Sequence, residues 1–145
     1  MTPVRIQKVG RFLEAITSWA ASQADLQGLA LVGSYARNTP KPTSDVDLVL
    51  VVNEPNRYLQ DIDWISAFGE IERHQIERYG LVTSVRVWYR DGLEVEFGLA
   101  GPEWAAIPLD EGTRQVIEDG MRVLFERGGI LSRHLLQRPP AGPLP

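Results

Sequence analysis

Apolar residues at Ile6, Val9, Phe12, Leu13, Ile16, Trp19 and Ala20 recur at intervals of three and four, the spacing of one helical face. Thr2 and Pro3 ahead of them supply an N-cap and a proline at the first helical position, so the pattern predicts a helix from Pro3 to about Gln23. Gly28 to Val32 and Val46 to Val52 are short, mostly apolar runs of strand length, the second rich in β-branched residues, and both are predicted as central strands. Between them, Ser34 to Asn38 has room for one helical turn before Pro40-Lys41-Pro42 forbids regular structure. Leu59, Ile62, Ile65, Phe68, Ile71 and Ile76 then recur among charged residues at nearly helical period, which predicts a helix closed by Gly80 as its C-cap. Leu81 to Tyr89 and Leu93 to Leu99 flank Arg90-Asp91-Gly92, and Asp-Gly between two such runs predicts an antiparallel hairpin. Beyond an irregular stretch over Gly101 to Gly112, the pattern predicts a short helix over Thr113 to Asp119 stopped by Gly120. A last strand over Met121 to Phe125 and a final helix over Ile130 to Gln137 follow.

Helices alternating with strands around one hairpin predict an α/β or α+β fold, a mixed β-sheet with helices packed on one face. The 145 residues fit one domain, taken as 1–137, with 138–145 as a proline-rich flexible tail. With 43% apolar and 23% charged residues the composition belongs to neither the disordered nor the membrane class. No apolar run approaches the ~18 residues of a transmembrane helix. Met1 to Val9 lacks the apolar stretch of a secretory signal, so the expectation is a cytoplasmic protein with no membrane partner. There is no cysteine, which excludes disulfides, thiolate metal sites and a cysteine nucleophile. With only two histidines, a bound metal would be held by oxygen, which points to magnesium or manganese. The net charge of −4 argues against broad binding to nucleic acid, whose affinity comes mainly from Lys and Arg on phosphates.

Two short stretches carry candidate chemistry. Leu31-Val32-Gly33-Ser34-Tyr35-Ala36-Arg37 ends a predicted strand and begins a helical turn, leaving backbone N–H groups unpaired at a corner that suits a phosphate. Gly33 lets the backbone approach closely, the Ser34 hydroxyl can donate to a phosphate oxygen, and Arg37 lies one turn on. Taken alone, this Gly-Ser pair also serves as an ordinary turn. Asp45-Val46-Asp47-Leu48 changes the balance, because carboxylates at i and i+2 on a strand share a face while Val46 and Leu48 enter the core. Like charges forced together resist joint ionisation unless cations bind them.

Gly33-Ser34, ten intervening residues and Asp45-Val46-Asp47-Leu48 together resemble the signature of the polymerase β-like nucleotidyltransferase superfamily. Gly-Ser-Tyr-Ala-Arg and Ser-Asp-Val-Asp-Leu are similar to stretches of its small bacterial members, including minimal nucleotidyltransferases and aminoglycoside adenylyltransferases. The motif covers Leu31 to Val52. The resemblance implies the nucleotidyltransferase fold and a magnesium-dependent transfer of a nucleoside monophosphate, AMP above all. The donor would be a nucleoside triphosphate and the acceptor a hydroxyl of a small molecule or a protein. Two metal ions, magnesium or alternatively manganese, would be held by Asp45, Asp47 and a third carboxylate on a later strand. The hairpin offers Glu94 and Glu96 for that place, both on the face opposite Leu93, Val95 and Phe97, so period does not choose between them. Glu94 lies near the turn, whereas Glu96 lies mid-strand beside Gly98, where a missing side chain leaves room for a ligand. Gly33, Ser34 and Arg37 would hold phosphates, and Ser44 would orient Asp45 or contact the triphosphate. A partner chain or a second copy would complete the acceptor side. The alternative is a nucleotide-binding or partner-regulating module of the same fold that transfers nothing, such as a toxin-antitoxin component.

Other polar residues carry weaker signals. Lys41 and Thr43 lie in the intervening loop, and Arg86 and Arg90 offer positive charge beside the hairpin, where cross-strand pairing is the commoner use. His74 and His134 are expected at the surface or its boundary. Trp19, Trp64 and Trp88 read as core or boundary aromatics, and Trp104, in the irregular stretch, is the one to weigh as a stacking platform.

Overall fold

The computed structural model describes residues 2–41, 44–106 and 109–136. The chain begins with helix α1 (Pro3–Ser22), where the Thr2 side chain accepts from the Arg5 backbone N–H at 3.1 Å. Val9, Phe12, Ile16 and Ala20 form the buried stripe of this helix. Strand β1 (Leu26–Val32), the single turn α2 (Gly33–Ala36) and strand β2 (Val46–Val52) follow. Next come α3 (Pro55–Gln60), a 3₁₀ segment (Asp63–Phe68), and strands β3 (Ile71–Tyr79), β4 (Val82–Tyr89) and β5 (Glu94–Ala100). A 3₁₀ turn (Pro102–Ala105), α4 (Glu111–Asp119), β6 (Met121–Glu126) and α5 (Ser132–Leu136) complete the described elements.

The six strands form one mixed sheet in the order β3-β4-β5-β2-β1-β6. Only β2 and β5 pair in parallel, and every other neighbouring pair is antiparallel. Alternation sorts the side chains. Leu29, Leu31, Val46, Leu48, Leu50, Val95, Phe97 and Leu99 face α1, α3 and the first 3₁₀ segment, whose aromatics join them. Trp64 meets Phe97 edge-on with centroids 5.0 Å apart and stacks on Trp19 at 5.2 Å, so these tryptophans belong to the core boundary, as their spacing suggests. The opposite face is covered only in part. Ala30, Val32, Val49, Val51 and Ala100, with Met121 of β6, share a second and smaller core with Trp104, Ile117 and Leu131. Thus the long helix occupies one face, and short elements cover the β6-β1-β2 side of the other.

The predicted helix over Leu59 to Ile76 is corrected by the structure. Its first part is α3 and the 3₁₀ segment, and its second part is edge strand β3, paired in register from Ile71↔Tyr89 to Tyr79↔Val82. Gly69, at φ 156°, interrupts the run. Gly80, at φ 57°, makes the β3–β4 turn and does not cap a helix. Most of β3 is exposed, and a solvent-facing edge strand needs charge more than apolar alternation; Glu72, Arg73, His74, Glu77 and Arg78 mimic the polar face of a helix. The β4–β5 hairpin closes through Tyr89 N–H to Leu93 O at 2.9 Å, with Gly92 at φ 93°. Helix α4 starts earlier than predicted because Asp110 caps it, accepting from Gly112 and Thr113 N–H at 3.0 and 3.4 Å. The predicted proline-rich tail, 138–145, lies outside the described residues.

Candidate functional site

The site lies where the second layer stops. Beyond Val49, as the sheet runs from β2 through β5 to β4, polar side chains stand on this face: Asp47 on β2, Glu96 on β5 and Arg86 on β4. The register sets them side by side, Asp47 against Glu96 and Glu96 against Arg86. They line a cleft of about 630 Å³, together with Gly33, Arg37, Tyr79 and Gly98, and with residues of α4 on its far wall.

At the end of β1 the chain turns sharply at Gly33, whose φ is 73°. A Cβ at this position would overlap Asp47 Oδ2, so glycine is required twice, by its backbone conformation and by the carboxylate beside it. The turn is held by Arg37 N–H to Gly33 O at 3.2 Å and Thr39 N–H to Ser34 O at 2.9 Å, with Tyr35 buried beneath. Among the described residues the Ser34 hydroxyl and the Arg37 guanidinium make no hydrogen bond or ion pair. Ser34 is half-buried and Arg37 exposed.

Asp45, Asp47 and Glu96 each offer an oxygen within 4.8 Å of the others. Asp47 is the innermost. Burial first, and then the neighbouring charges and hydrogen bonds of Asp45 and Glu96, push its carboxyl up to about 8, and its Oδ1 is buried without a hydrogen-bond partner. Three carboxylates gathered this closely offer the kind of oxygen ligands that a hard divalent cation accepts. Glu94 lies outside this trio and bonds to Arg86.

Arg86 is the hub of the acidic side chains. Its Nε donates to Glu77 at 3.0 Å, its Nη1 to Glu94 at 2.7 Å and Asp45 at 3.5 Å, and its Nη2 to Glu96 at 3.1 Å. Glu77 comes from β3 and went unrecognised because that segment reads as helix. Arg5 also escaped the sequence reading. Its Nη2 donates to Ser44 O at 3.0 Å and its Nη1 to Gly92 O at 3.2 Å, tying the entrances of β2 and β5 to the start of α1; Lys8 adds a bond to Asp91 O at 2.6 Å. No motif marks such a residue, since its partners are backbone carbonyls of distant turns.

The remaining candidates take ordinary places. The Ser44 hydroxyl accepts from Lys41 N–H at 2.8 Å and so is engaged in its own loop. Lys41 is exposed, and Thr43 lies outside the described residues. Arg90 pairs at the surface with Glu70. Trp104 is 2% exposed, a core residue forming the floor of the cleft and not a free stacking platform. His74 is exposed on β3. His134, expected near the surface, is buried, with Nε2 2.7 Å from Ala105 O, because α5 folds back onto the smaller core. Among the described residues no helix is long and apolar enough to cross a membrane.

Residues 16–95, more than half of the chain, match the family model of the nucleotidyltransferase domain. Among solved structures, the chain is similar to an aminoglycoside 6-adenyltransferase from Bacillus subtilis at 15% identity and a TM-score of 0.51, over 65% of this chain and 36% of that one. It is also similar to the polymerase core of TRAMP, a RNA surveillance complex, at 17% identity and a TM-score of 0.45, over 66% of this chain and 30% of that one. The chain therefore spans about a third of the length of these structures. The first likeness speaks for the fold. No curated protein matches the chain.

Proposed function

We propose that this chain, which belongs to the nucleotidyltransferase domain family, transfers a nucleoside monophosphate, AMP in the first instance, from a nucleoside triphosphate to a hydroxyl of a small molecule or protein. The observation that carries the reading is the meeting of Asp45, Asp47 and Glu96 oxygens within 4.8 Å, beside the glycine corner at Gly33.

Asp45, Asp47 and Glu96 would hold magnesium, or manganese in its place. When bound, the metal supplies the positive charge that allows these carboxylates to ionise together and offsets the charge of the triphosphate. Ser34 and Arg37, without a side-chain hydrogen bond or ion pair among the described residues, would bind the β and γ phosphates and stabilise the charge that gathers there as pyrophosphate leaves. The acceptor oxygen would form its bond to the α-phosphorus as the bond to the pyrophosphate oxygen breaks. The acceptor's proton would pass to Glu96, which lines the open cleft. Glu94 would act through Arg86. Ser44, its hydroxyl engaged with Lys41, would hold the strand entrance and so orient Asp45. The reading assigns the reaction to the cytoplasm and leaves the rest of the acceptor pocket to a partner chain or a second copy.

Incubation of the purified protein with each labelled triphosphate, magnesium and a cell extract tests the proposal. Label should move from ATP to a discrete protein band or to a small molecule, and Asp47→Asn should abolish the transfer. Binding of magnesium nucleotide without transfer under any acceptor would favour the non-catalytic module. Undiminished transfer by folded Asp47→Asn would overturn the assignment.

A further inference from the structure

The contacts of Arg86 divide into two kinds. Glu77 at 3.0 Å and Glu94 at 2.7 Å lie outside the carboxylate trio, whereas Glu96 at 3.1 Å and Asp45 at 3.5 Å belong to it. The Asp45 contact is the longest of the four, and it shares Nη1 with the closer Glu94. Asp47 makes no bond to the guanidinium. The side chain is a quarter exposed and forms part of the cleft wall, so its outward edge faces the space a ligand would fill.

We infer that Arg86 is the resident counter-ion of the site: its single positive charge offsets part of the negative charge of Asp45 and Glu96 while no divalent cation is bound, and it yields both carboxylates to the cation while staying tethered to Glu77 and Glu94. This role rests on the reading of Asp45, Asp47 and Glu96 as cation ligands. Three carboxylates this close cannot stand charged without a nearby positive group, and a guanidinium cannot shed its proton to leave them bare. A rigid fork of five donors spans several carboxylates at once, which the single ammonium of a lysine does not. Because the guanidinium and a divalent cation contend for the same two carboxylates, Arg86 weakens cation binding in the absence of substrate. The donors it releases then point into the cleft, where a triphosphate presents acceptors. Glu77 and Glu94 become positioning residues that keep the released guanidinium at the cleft wall. A purely structural Arg86 has the opposite signature, since removing a brace that shapes the trio loosens the cation site.

Manganese alone, without nucleotide, is the probe, titrated into the full chain with free ion followed by electron paramagnetic resonance. Arg86→Gln should tighten manganese binding by about tenfold. Arg86→Lys should tighten it by a smaller factor and serves if the glutamine variant does not fold. Arg73→Gln removes a charge from the neighbouring strand that stacks on Trp88 and touches none of the trio, and should leave the affinity within about twofold of wild type. The metal-free melting temperature of Arg86→Gln should fall, and manganese should raise it by more than in wild type. Wild type that binds manganese while folded Arg86→Lys or Arg86→Gln binds it equally or more weakly overturns the counter-ion role alone. Absence of manganese binding in wild type and in both Arg86 variants overturns the ligand assignment itself, and the counter-ion role with it.

Discussion

Strands β2 and β5 present two different surfaces from one stretch of backbone. Toward α1 they show Val46, Leu48, Val95 and Phe97, all at most 2% exposed and packed among aromatics. Toward the cleft they show Asp47 and Glu96, the first with an oxygen that has no hydrogen-bond partner among the described residues. The apolar face gains stability from every contact. The polar face sets like charges together and costs stability unless a cation intervenes. The molecule thus keeps its site rigid by fastening it to the back of its best-packed region, so the unfavourable side cannot relax without unpacking the favourable one.

Substitutions should separate the two faces. The largest effect is expected from Asp47→Asn, which should cut transfer by about a thousandfold or more, measured as turnover, while the far-ultraviolet circular dichroism stays that of wild type. On the other face, Phe97→Ala should leave the carboxylates in place yet cost about 3 to 5 kcal/mol in denaturant unfolding, by opening a cavity among Phe12, Trp64 and Phe68. Gly33→Ala should cost about 1 to 2 kcal/mol from its left-handed backbone alone and, by displacing Asp47, should weaken manganese binding as well. Acidity sharpens the contrast. The Asp47 carboxyl titrates near 8 in the folded protein and near 3.8 when unfolded, so the native state holds that proton more tightly. Its contribution to stability is therefore full below about pH 4 and is lost as pH rises toward and through 8. Metal-free protein should melt progressively lower from pH 5 to pH 9, and both Asp47→Asn and added magnesium should flatten the slope. The smallest effect is expected from Arg5→Gln, about 1 kcal/mol in denaturant unfolding from the lost bonds to Ser44 and Gly92.

What could be read in the sequence follows from the same contrast. Central strands β1, β2, β4 and β5 announce themselves because both neighbours and at least one face are buried, which demands β-branched and apolar runs. The glycine-serine corner and the Asp-x-Asp pair are legible because each is local. Edge strand β3 is not, since its exposed residues answer to solvent, and its charges at Glu72, Arg73, Glu77 and Arg78 fit a helix period as readily as a strand. With β3 misread, Glu77 had no reason to be near Arg86. Alternation puts Glu94 and Glu96 on one face, and only the β2–β5 register, which sets Asp47 against Glu96, tells them apart in space. The many partners of Arg86 come from β3, from β5 and from the residue just before β2, a convergence that no spacing along one segment expresses.

The lone parallel pairing has a consequence for how the protein comes into being. Asp47 and Glu96 are adjacent across the sheet, yet β3 and β4 intervene along the chain, so a nascent polypeptide emerging from the ribosome carries both aspartates on the β1–β2 hairpin long before the glutamate is synthesised. Asp45 and Asp47 already oppose each other on that hairpin, but the third carboxylate joins them only when β5 docks, and by then β4 has been made and delivers Arg86 on the adjoining strand.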